Sequence, residues 1–317
     1  MKNILTQSKD TLQLIVVLIT LSIFAAFLSK GVFIQPVNLT NILVQNSILM
    51  IVALGQFLII LSKGIDLNAG NIVGFTSVII VLSQGYGTGM SLGITLAAAL
   101  VIGALTGCMV HFVKLPAFVV TLAMSQIVYS ITKVIGGGAA VYTGMDGAPI
   151  SPAILEIYSV KLFGIPLPVL LSAVAVLFVA LYLKTTTGHF VYAIGGNEKT
   201  AAISGLPIAR VKISVYLLSA ALGCMAGLMF VARVGLGDPQ AGDNLTLDSI
   251  AAVTVGGASL SGGVGKISGA VIGVLILGVL NNILNLLNVP PTIQPAIKGA
   301  IILLAVYLNS VKGKKLG

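Results

Sequence analysis

Long, uninterrupted runs of apolar residues separated by short polar segments dominate the pattern along this chain of 317 residues. The runs are continuous rather than alternating, which favours helices over strands, and an apolar helix needs about 20 residues to cross the hydrocarbon of a bilayer. The pattern therefore predicts roughly ten membrane-spanning helices. They are placed at residues 12–28, 42–61, 69–83, 92–112, 117–135, 164–183, 213–232, 249–260, 267–287 and 295–308.

The weakest predicted span, residues 249–260, is short and is interrupted by Gly256 and Gly257. It is interpreted as a crossing helix, a broken helix or a re-entrant one. Glycine-interrupted segments often line a solute path, and close helix packing explains such glycines equally well. Parity favours a crossing, because otherwise the basic tail after Ser310 would lie outside the cell.

Composition excludes a water-soluble fold, since 57% of the residues are hydrophobic, 8% are charged and the mean hydropathy is +1.11. The net charge of +9 does not indicate nucleic acid as a partner, because the basic residues are scattered singly between apolar runs. Most of the 17 Lys and Arg residues fall in segments that are cytoplasmic if the N-terminus lies inside, so both termini are predicted to be cytoplasmic. The first apolar run also resembles a cleaved secretory signal, and an uncleaved first span is the preferred interpretation. We expect one all-α polytopic domain over residues 1–317, in contact with membrane lipid.

Residues suited to catalysis or metal binding are scarce. His111 and His189 lie far apart without metal-ligand spacing, and Cys108 and Cys224 each lie inside an apolar run. A match to the end of a phosphate loop near Lys266 lacks the first glycine and the final hydroxyl that such a loop requires. The sequence therefore predicts no cofactor and no ATP hydrolysis on this chain.

Uncharged polar residues inside the predicted spans are the candidates for a solute path, because polar groups are costly to place in a bilayer. Their amides and hydroxyls both donate and accept hydrogen bonds, which suits a neutral polyhydroxyl solute. Hydrogen bonding between helices is the alternative for each residue taken singly. The candidate path residues are Gln45, Asn46, Gln56, Gln126, Tyr129, Asn281, Asn282 and Asn285.

Residues 184–212 form the one long segment in which charge, glycine and a capped short helix occur together. Asn197 is suited to the N-cap of that helix, Gly205 to a left-handed C-terminal position, and Pro207 prevents continuation. The segment predicts a two-turn helix outside the membrane, on the cytoplasmic side. Such a helix either rests on the headgroups or docks against another protein.

This segment resembles a known coupling loop. The run YAIGGNEKTAAISGLPIARVKISVY, residues 192–216, is similar to the cytoplasmic coupling loop of permease subunits in the ribose-type family of bacterial sugar ABC importers. Three further stretches resemble that family's signatures in the same order. They are SKGIDLNAG at 62–70, LDSIAAVTVGGASLSGGVGKISG at 247–269 and LGVLNNILNLL at 277–287. The resemblance runs from about the second span to the C-terminus and is closest to the ribose permeases.

The resemblance implies a type II ABC importer permease-like bundle in the bacterial inner membrane, assembled as a homodimer. It also implies a cytoplasmic ATPase docked on each coupling helix and a periplasmic binding protein that delivers a neutral monosaccharide, ribose or a related sugar. The implied ATPase contact comprises Gly195, Gly196, Asn197, Glu198, Ala201, Ala202, Ser204 and Gly205.

Two other classes of protein remain open at this point. An ion-coupled secondary sugar transporter would need a relay of carboxylates in the membrane, whereas acidic residues such as Asp66 fall near span ends or in loops. A structural membrane scaffold would have no reason to carry a capped coupling helix.

Overall fold

The computed structural model describes the backbone of residues 2–300 and the side chains of residues 11–300. Its α-helices up to residue 286 are α1 (Lys2–Leu28), α2 (Pro36–Leu61), α3 (Ala69–Leu82), α4 (Thr88–Phe112), α5 (Ala117–Ile135), α6 (Pro152–Leu155), α7 (Leu167–Lys184), α8 (Thr186–Gly196), α9 (Glu198–Ile203), α10 (Ile208–Val234), α11 (Leu245–Val255) and α12 (Ile267–Leu286). A two-stranded antiparallel hairpin, β1 (Lys161–Leu162) and β2 (Ile165–Pro166), precedes α7. Short 3-10 turns lie at Val32–Ile34, Gln84–Tyr86 and Glu156–Tyr158.

Seven of the helices in the described range are long and apolar enough to cross a membrane. They are α2, α4, α5, α7, α10, α12 and the apolar part of α1, Thr11–Leu28. Each matches a predicted span, although several begin earlier than predicted. The prediction followed apolar residues, and the first turns of these helices contain polar ones. Pro36, for example, starts α2 at the first helical position, where proline costs no hydrogen bond. The predicted span at 164–183 begins too early, because residues 161–166 form the hairpin.

Two predicted spans are shorter helices. At 1.5 Å rise per residue, α3 is about 21 Å long and α11 about 16 Å. The predicted end of the second of these, residue 260, is wrong, because α11 stops at Val255 and Gly257 turns the chain at φ +86°. Residues 294–300 are helical at the start of the last predicted span, and residues 301–308 of that span lie outside the described range.

The core is built around α2 and α10. Every residue of α2 from Asn46 to Leu61 is buried. α10 packs closely on its neighbours because glycines remove side-chain bulk on both sides: Gly103 of α4 faces the backbone of α10, and Gly223 and Gly227 of α10 face α3. Large exposed apolar side chains such as Phe27 lie on the outer helices, as expected for contact with lipid.

Several helix termini gather at one end of the bundle, which we call the α9 end. The backbone N–H of Gly263 donates to the Leu61 carbonyl over 2.9 Å, which joins the α11–α12 connection to the end of α2. The opposite end, which we call the hairpin end, contains β1 and β2. There the chain between α5 and α6 pairs with the chain after α10 through Val141 and Gly237.

Candidate functional site

The short helix predicted in the segment 184–212 is confirmed as α9. The Asn197 side-chain oxygen accepts the Thr200 N–H at 3.0 Å, and Gly205 follows the helix with φ +75°. α8, which precedes it, was not predicted. The sequence feature that could have predicted the start of α8 is Thr185, a good N-cap residue whose hydroxyl accepts the Gly188 N–H at 3.2 Å.

The segment is held firmly against the bundle. Both carboxylate oxygens of Glu198 lie 2.8 Å from Lys212 Nζ, which ties α9 to the start of α10. The Tyr192 hydroxyl donates to the Gly265 carbonyl at 3.0 Å, which ties α8 to the α11–α12 connection. Because α9 is fixed to the bundle, a partner bound to α9 can pass its movement on to the long helices.

The eight predicted contact residues divide into two groups. Gly195 and Ala201 are buried within this chain, and Glu198 is half-buried in its ion pair. The exposed members are Gly196, Asn197, Ala202, Ser204 and Gly205. The exposed members are therefore available to a partner, whereas the buried ones position the segment.

Ile203 belongs to the same surface, and the sequence reasoning missed it. This large apolar side chain is 89% exposed at the end of α9. Helix geometry could have predicted this exposure, because residues two positions apart in a helix lie on nearly opposite faces. Since Ala201 faces the bundle, Ile203 faces away from it. An exposed isoleucine beside exposed Ala202 makes an apolar face on a helix outside the spans.

Two of the candidate path residues, Asn46 of α2 and Asn282 of α12, lie in a polar seam where these helices pack. Asn282 and Asn38 exchange side-chain hydrogen bonds of 2.8 and 3.1 Å. Asn46 donates to the Ile42 carbonyl at 2.7 Å and packs against Gly278, where any side chain would overlap its amide. The sequence reasoning did not include Asn38 in the path.

Gln56 supports a loop that folds back into the bundle. In the amide orientation that pairs both of its polar atoms, the Gln56 side-chain oxygen accepts the Asp66 backbone N–H at 3.2 Å and its nitrogen donates to the Asp66 carbonyl at 3.1 Å. Asp66 lies in the α2–α3 connection, as predicted, yet only 2% of it is exposed, and its carboxylate accepts the Asn68 N–H at 2.8 Å. Among the residues described, no group of three or more His, Cys, Asp or Glu side chains is placed to hold a metal.

The remaining candidates lie apart from this seam. Gln45, Gln126 and Asn285 are exposed on the surface of the single chain, and Asn285 accepts a hydrogen bond from Gln294 at 2.9 Å. Asn281 is half-buried, and its amide oxygen has no partner among the described residues. The eight predicted path residues are thus distributed over α2, α5 and α12 rather than gathered in one cluster.

Tyr129, the last candidate, contacts two of the residues that line a cavity of about 180 Å³ at the hairpin end. Lys133 and Gln240 line this cavity, with the Gln240 amide nitrogen 3.5 Å from the Tyr129 hydroxyl and Lys133 Nζ 4.6 Å from the Tyr129 ring centre. Asp238 also lines it. Burial raises the pKa of nearby Asp243, the Asp238 charge acts in the same direction, and Lys133 opposes both. An aromatic ring beside amide, carboxylate and ammonium groups can contact both the apolar and the hydroxyl faces of a polar solute.

Comparisons with known proteins agree with this architecture. Residues 38–306 match the family described as the permease component of the branched-chain amino acid transport system. The ribose import permease protein RbsC of Escherichia coli strain K12 is 39% identical over 280 residues, which cover 87% of this chain and 86% of the relative. RbsC of Bacillus subtilis is 38% identical over 88% of this chain and 87% of its own. The xylose transport system permease protein XylH of Haemophilus influenzae is 33% identical over 96% and 98%. No solved structure matches.

The family match covers most of the chain, and the seven long apolar helices fit the multi-pass architecture of a permease. The chain is a multi-pass inner-membrane protein and a permease subunit rather than an enzyme. By its sequence from residue 38 to residue 306, it belongs to the family of permease components of the branched-chain amino acid transport system.

Proposed function

We propose that this chain is the transmembrane subunit of an ATP-binding-cassette importer that passes a neutral monosaccharide, ribose or a related sugar, to the cytoplasm. A periplasmic binding protein delivers the sugar, and a separate ATPase drives its release. The names of the ribose and xylose permeases similar to this chain support the sugar. The observation that carries the coupling is α9, a capped helix fixed by the Glu198–Lys212 ion pair with an apolar face turned outward.

The whole chain, residues 1–317, forms a single permease domain, with residues 184–212 as its coupling loop. About ten helices cross the membrane, the short α3 and α11 among them, both termini are cytoplasmic, and two copies assemble as a dimer surrounded by lipid. In this arrangement the α9 end faces the cytoplasm and the hairpin end faces the binding protein.

The ATPase contacts the exposed residues of α9 and its flanks. Ala202 and Ile203 supply the apolar centre of that contact, and Gly196, Asn197 and Ser204 supply its polar edge. Gly195, Ala201 and Glu198 act indirectly, by fixing how α9 is presented. A contact with an apolar centre and a polar rim is the usual arrangement of a protein interface.

The sugar enters at the hairpin end, past the cavity beside Tyr129, and passes polar groups on α2, α5 and α12. The exposed Gln45, Gln126 and Asn285 contribute to a path that the second copy completes. The buried Asn46, Gln56 and Asn282 hold the surrounding helices in register. This division follows from burial, since the exposed amides can reach a passing hydroxyl, whereas the buried ones are enclosed between helices and bonded within the chain.

Uptake by sealed vesicles tests the proposal. The chain is reconstituted with whatever ATPase co-purifies from its native membrane, and labelled ribose uptake is followed with ATP inside, without ATP, and with a collapsed ion gradient. Uptake that needs ATP and survives collapse of the gradient supports the importer. The buried carboxylate of Asp66 is the observation that favours an ion-coupled transporter, and uptake that needs the gradient but not ATP would establish that alternative instead.

A further inference from the structure

A second cavity, of about 480 Å³, opens at the α9 end and takes no part in the proposed sugar path. It lies between the α2–α3 connection, the end of α4, the start of α5, α9 and the start of α10. Three lysines, Lys63, Lys114 and Lys212, line it together with His111, and Glu198 is the single carboxylate among its lining residues. Its wall is therefore strongly basic.

The positive charge of this wall is only partly compensated. Lys212 is engaged by Glu198 at 2.8 Å. Neither Lys63 nor Lys114 forms an ion pair with a carboxylate among the described residues, and both side chains are exposed. Two positive charges are thus left over at the mouth of the cavity, on two separate connections of the chain.

The N-terminus of α5 adds to this charge. α5 runs from Ala117 to Ile135, and its N-cap, Pro116, makes no side-chain cap hydrogen bond. Leu115, Pro116 and Ala117 all line the cavity, so the free backbone N–H groups of the first turn lie at its edge. The partial positive charge of a helix N-terminus favours an anion at this place.

The strongest indication of a ligand is the hydroxyl of Tyr216. Tyr216 lines the cavity, is only 3% exposed, and its hydroxyl has no hydrogen-bond partner among the described residues. The oxygen lies against Gly64, another lining residue, since a Cβ at Gly64 would come within 3.1 Å of it. Buried hydroxyls are nearly always hydrogen-bonded, so an unpaired one in the wall of a basic cavity indicates that the cavity holds an acceptor.

We propose that this cavity binds a phosphate group, carried either by a soluble phosphate compound or by the headgroup of an anionic lipid. The two uncompensated lysines match the charge of a phosphate, and Tyr216, Lys212 and the first turn of α5 supply donors on separate sides of it. A neutral sugar has no need for this charge, so the site is distinct from the path. A bound phosphate shares Lys212 with Glu198 and thereby reaches the ion pair that fixes α9.

Thermal unfolding of the purified full chain tests this site without ATPase or sugar, so its failure leaves the proposed transport function untouched. In detergent micelles, the melting temperature is compared in inorganic phosphate and in chloride at equal ionic strength. In parallel, the chain is melted in phosphatidylcholine nanodiscs with and without phosphatidylglycerol. Stabilisation by phosphate identifies a soluble ligand, and stabilisation by phosphatidylglycerol alone identifies a headgroup.

Three variants and one control locate the effect. Lys63→Gln and Lys114→Gln are each expected to weaken the apparent affinity for the active probe about tenfold, as loss of one charged hydrogen bond does. Lys184→Gln removes an exposed lysine near the same end but outside the cavity and should leave the affinity unchanged. Tyr216→Phe should fold at least as well as the parent, because it removes an unpaired hydroxyl, yet bind the probe more weakly. The proposal is overturned if neither probe stabilises the parent, or if all three cavity variants respond as the parent does.

Discussion

Two adjacent glycines of the coupling segment have different physical roles. A Cβ at Gly195 would overlap the carbonyl oxygen of Leu61 and crowd the N–H of Gly263, whereas a Cβ at Gly196 would meet nothing within 4 Å. The first glycine therefore allows α8, the end of α2 and the α11–α12 connection to meet, and the second imposes no packing constraint. The resemblance to other permeases assigns both to one contact, but only atomic contacts separate them.

Gly195→Ala is accordingly expected to destabilise the chain by about 1–3 kcal/mol through overpacking, and Gly196→Ala to leave stability nearly unchanged. Denaturant unfolding in micelles measures both. Equal stability of the two variants would contradict the close approach at Leu61.

The Asn38–Asn282 pair separates a role in packing from a role in transport. Asn282→Leu removes the two hydrogen bonds that join the Asn38 amide to α12 and leaves that amide only its bond to the Phe33 carbonyl, which should cost about 1 kcal/mol of stability. The double variant Asn38→Leu/Asn282→Leu removes both polar groups and should recover part of that loss, since the Phe33 carbonyl then loses the Asn38 donor. Sugar uptake recovers with it if the pair only packs the helices, whereas uptake that stays low in a stable double variant would place the pair in the path.

At the scale of elements, α9 presents its buried and exposed residues on opposite faces, which decides how its docking is tested. A charge at Ala201 would enter the bundle and disturb folding, while Ala202 and Ile203 point outward. Ile203→Glu and Ala202→Glu are therefore expected to lower the amount of ATPase that co-purifies at least about tenfold while the bundle stays folded. Leu162→Glu, at a partly exposed leucine of β1, is the matched control. Unchanged ATPase binding by both α9 variants would rule out this face.

The sequence contained enough to predict α9 but not the loop before α3. The helix depends on local signals, an N-cap asparagine, a left-handed glycine and a proline, which act within one turn. The residues around Asp66 predict only a connection between two helices. Its burial results from Gln56 and from helices distant in the sequence. Apolar runs likewise identified the long helices but not where α11 stops, since that boundary depends on the turn at Gly257.

At the scale of the whole molecule, the direction in which each long helix runs through the bundle determines which connecting segments lie at the same end. α7 starts directly after the hairpin and leads through Thr185 into α8, so the hairpin and α9 lie at opposite ends of one apolar helix. The glycine-mediated junction of Leu61, Gly195 and Gly263 adds the end of α2 and the start of α12 to the α9 end. Measuring on which side of the membrane one residue at each end lies would therefore give the orientation of all seven long helices in the membrane.

Phe163 and Ser204 are suitable for that measurement, because Phe163 is fully exposed in the hairpin turn and Ser204 is exposed at the end of α9. In a background where Cys108 and Cys224 are replaced by alanine, Phe163→Cys should react with a membrane-impermeant thiol reagent in cells whose inner membrane is intact. Ser204→Cys should react only after the membrane is opened, since the proposed orientation places its side of the bundle in the cytoplasm. The reverse pattern would invert the bundle, and it would place the basic cavity and α9 where no ATPase can reach them. Labelling of both sites in intact cells would mean that α7 does not cross the membrane.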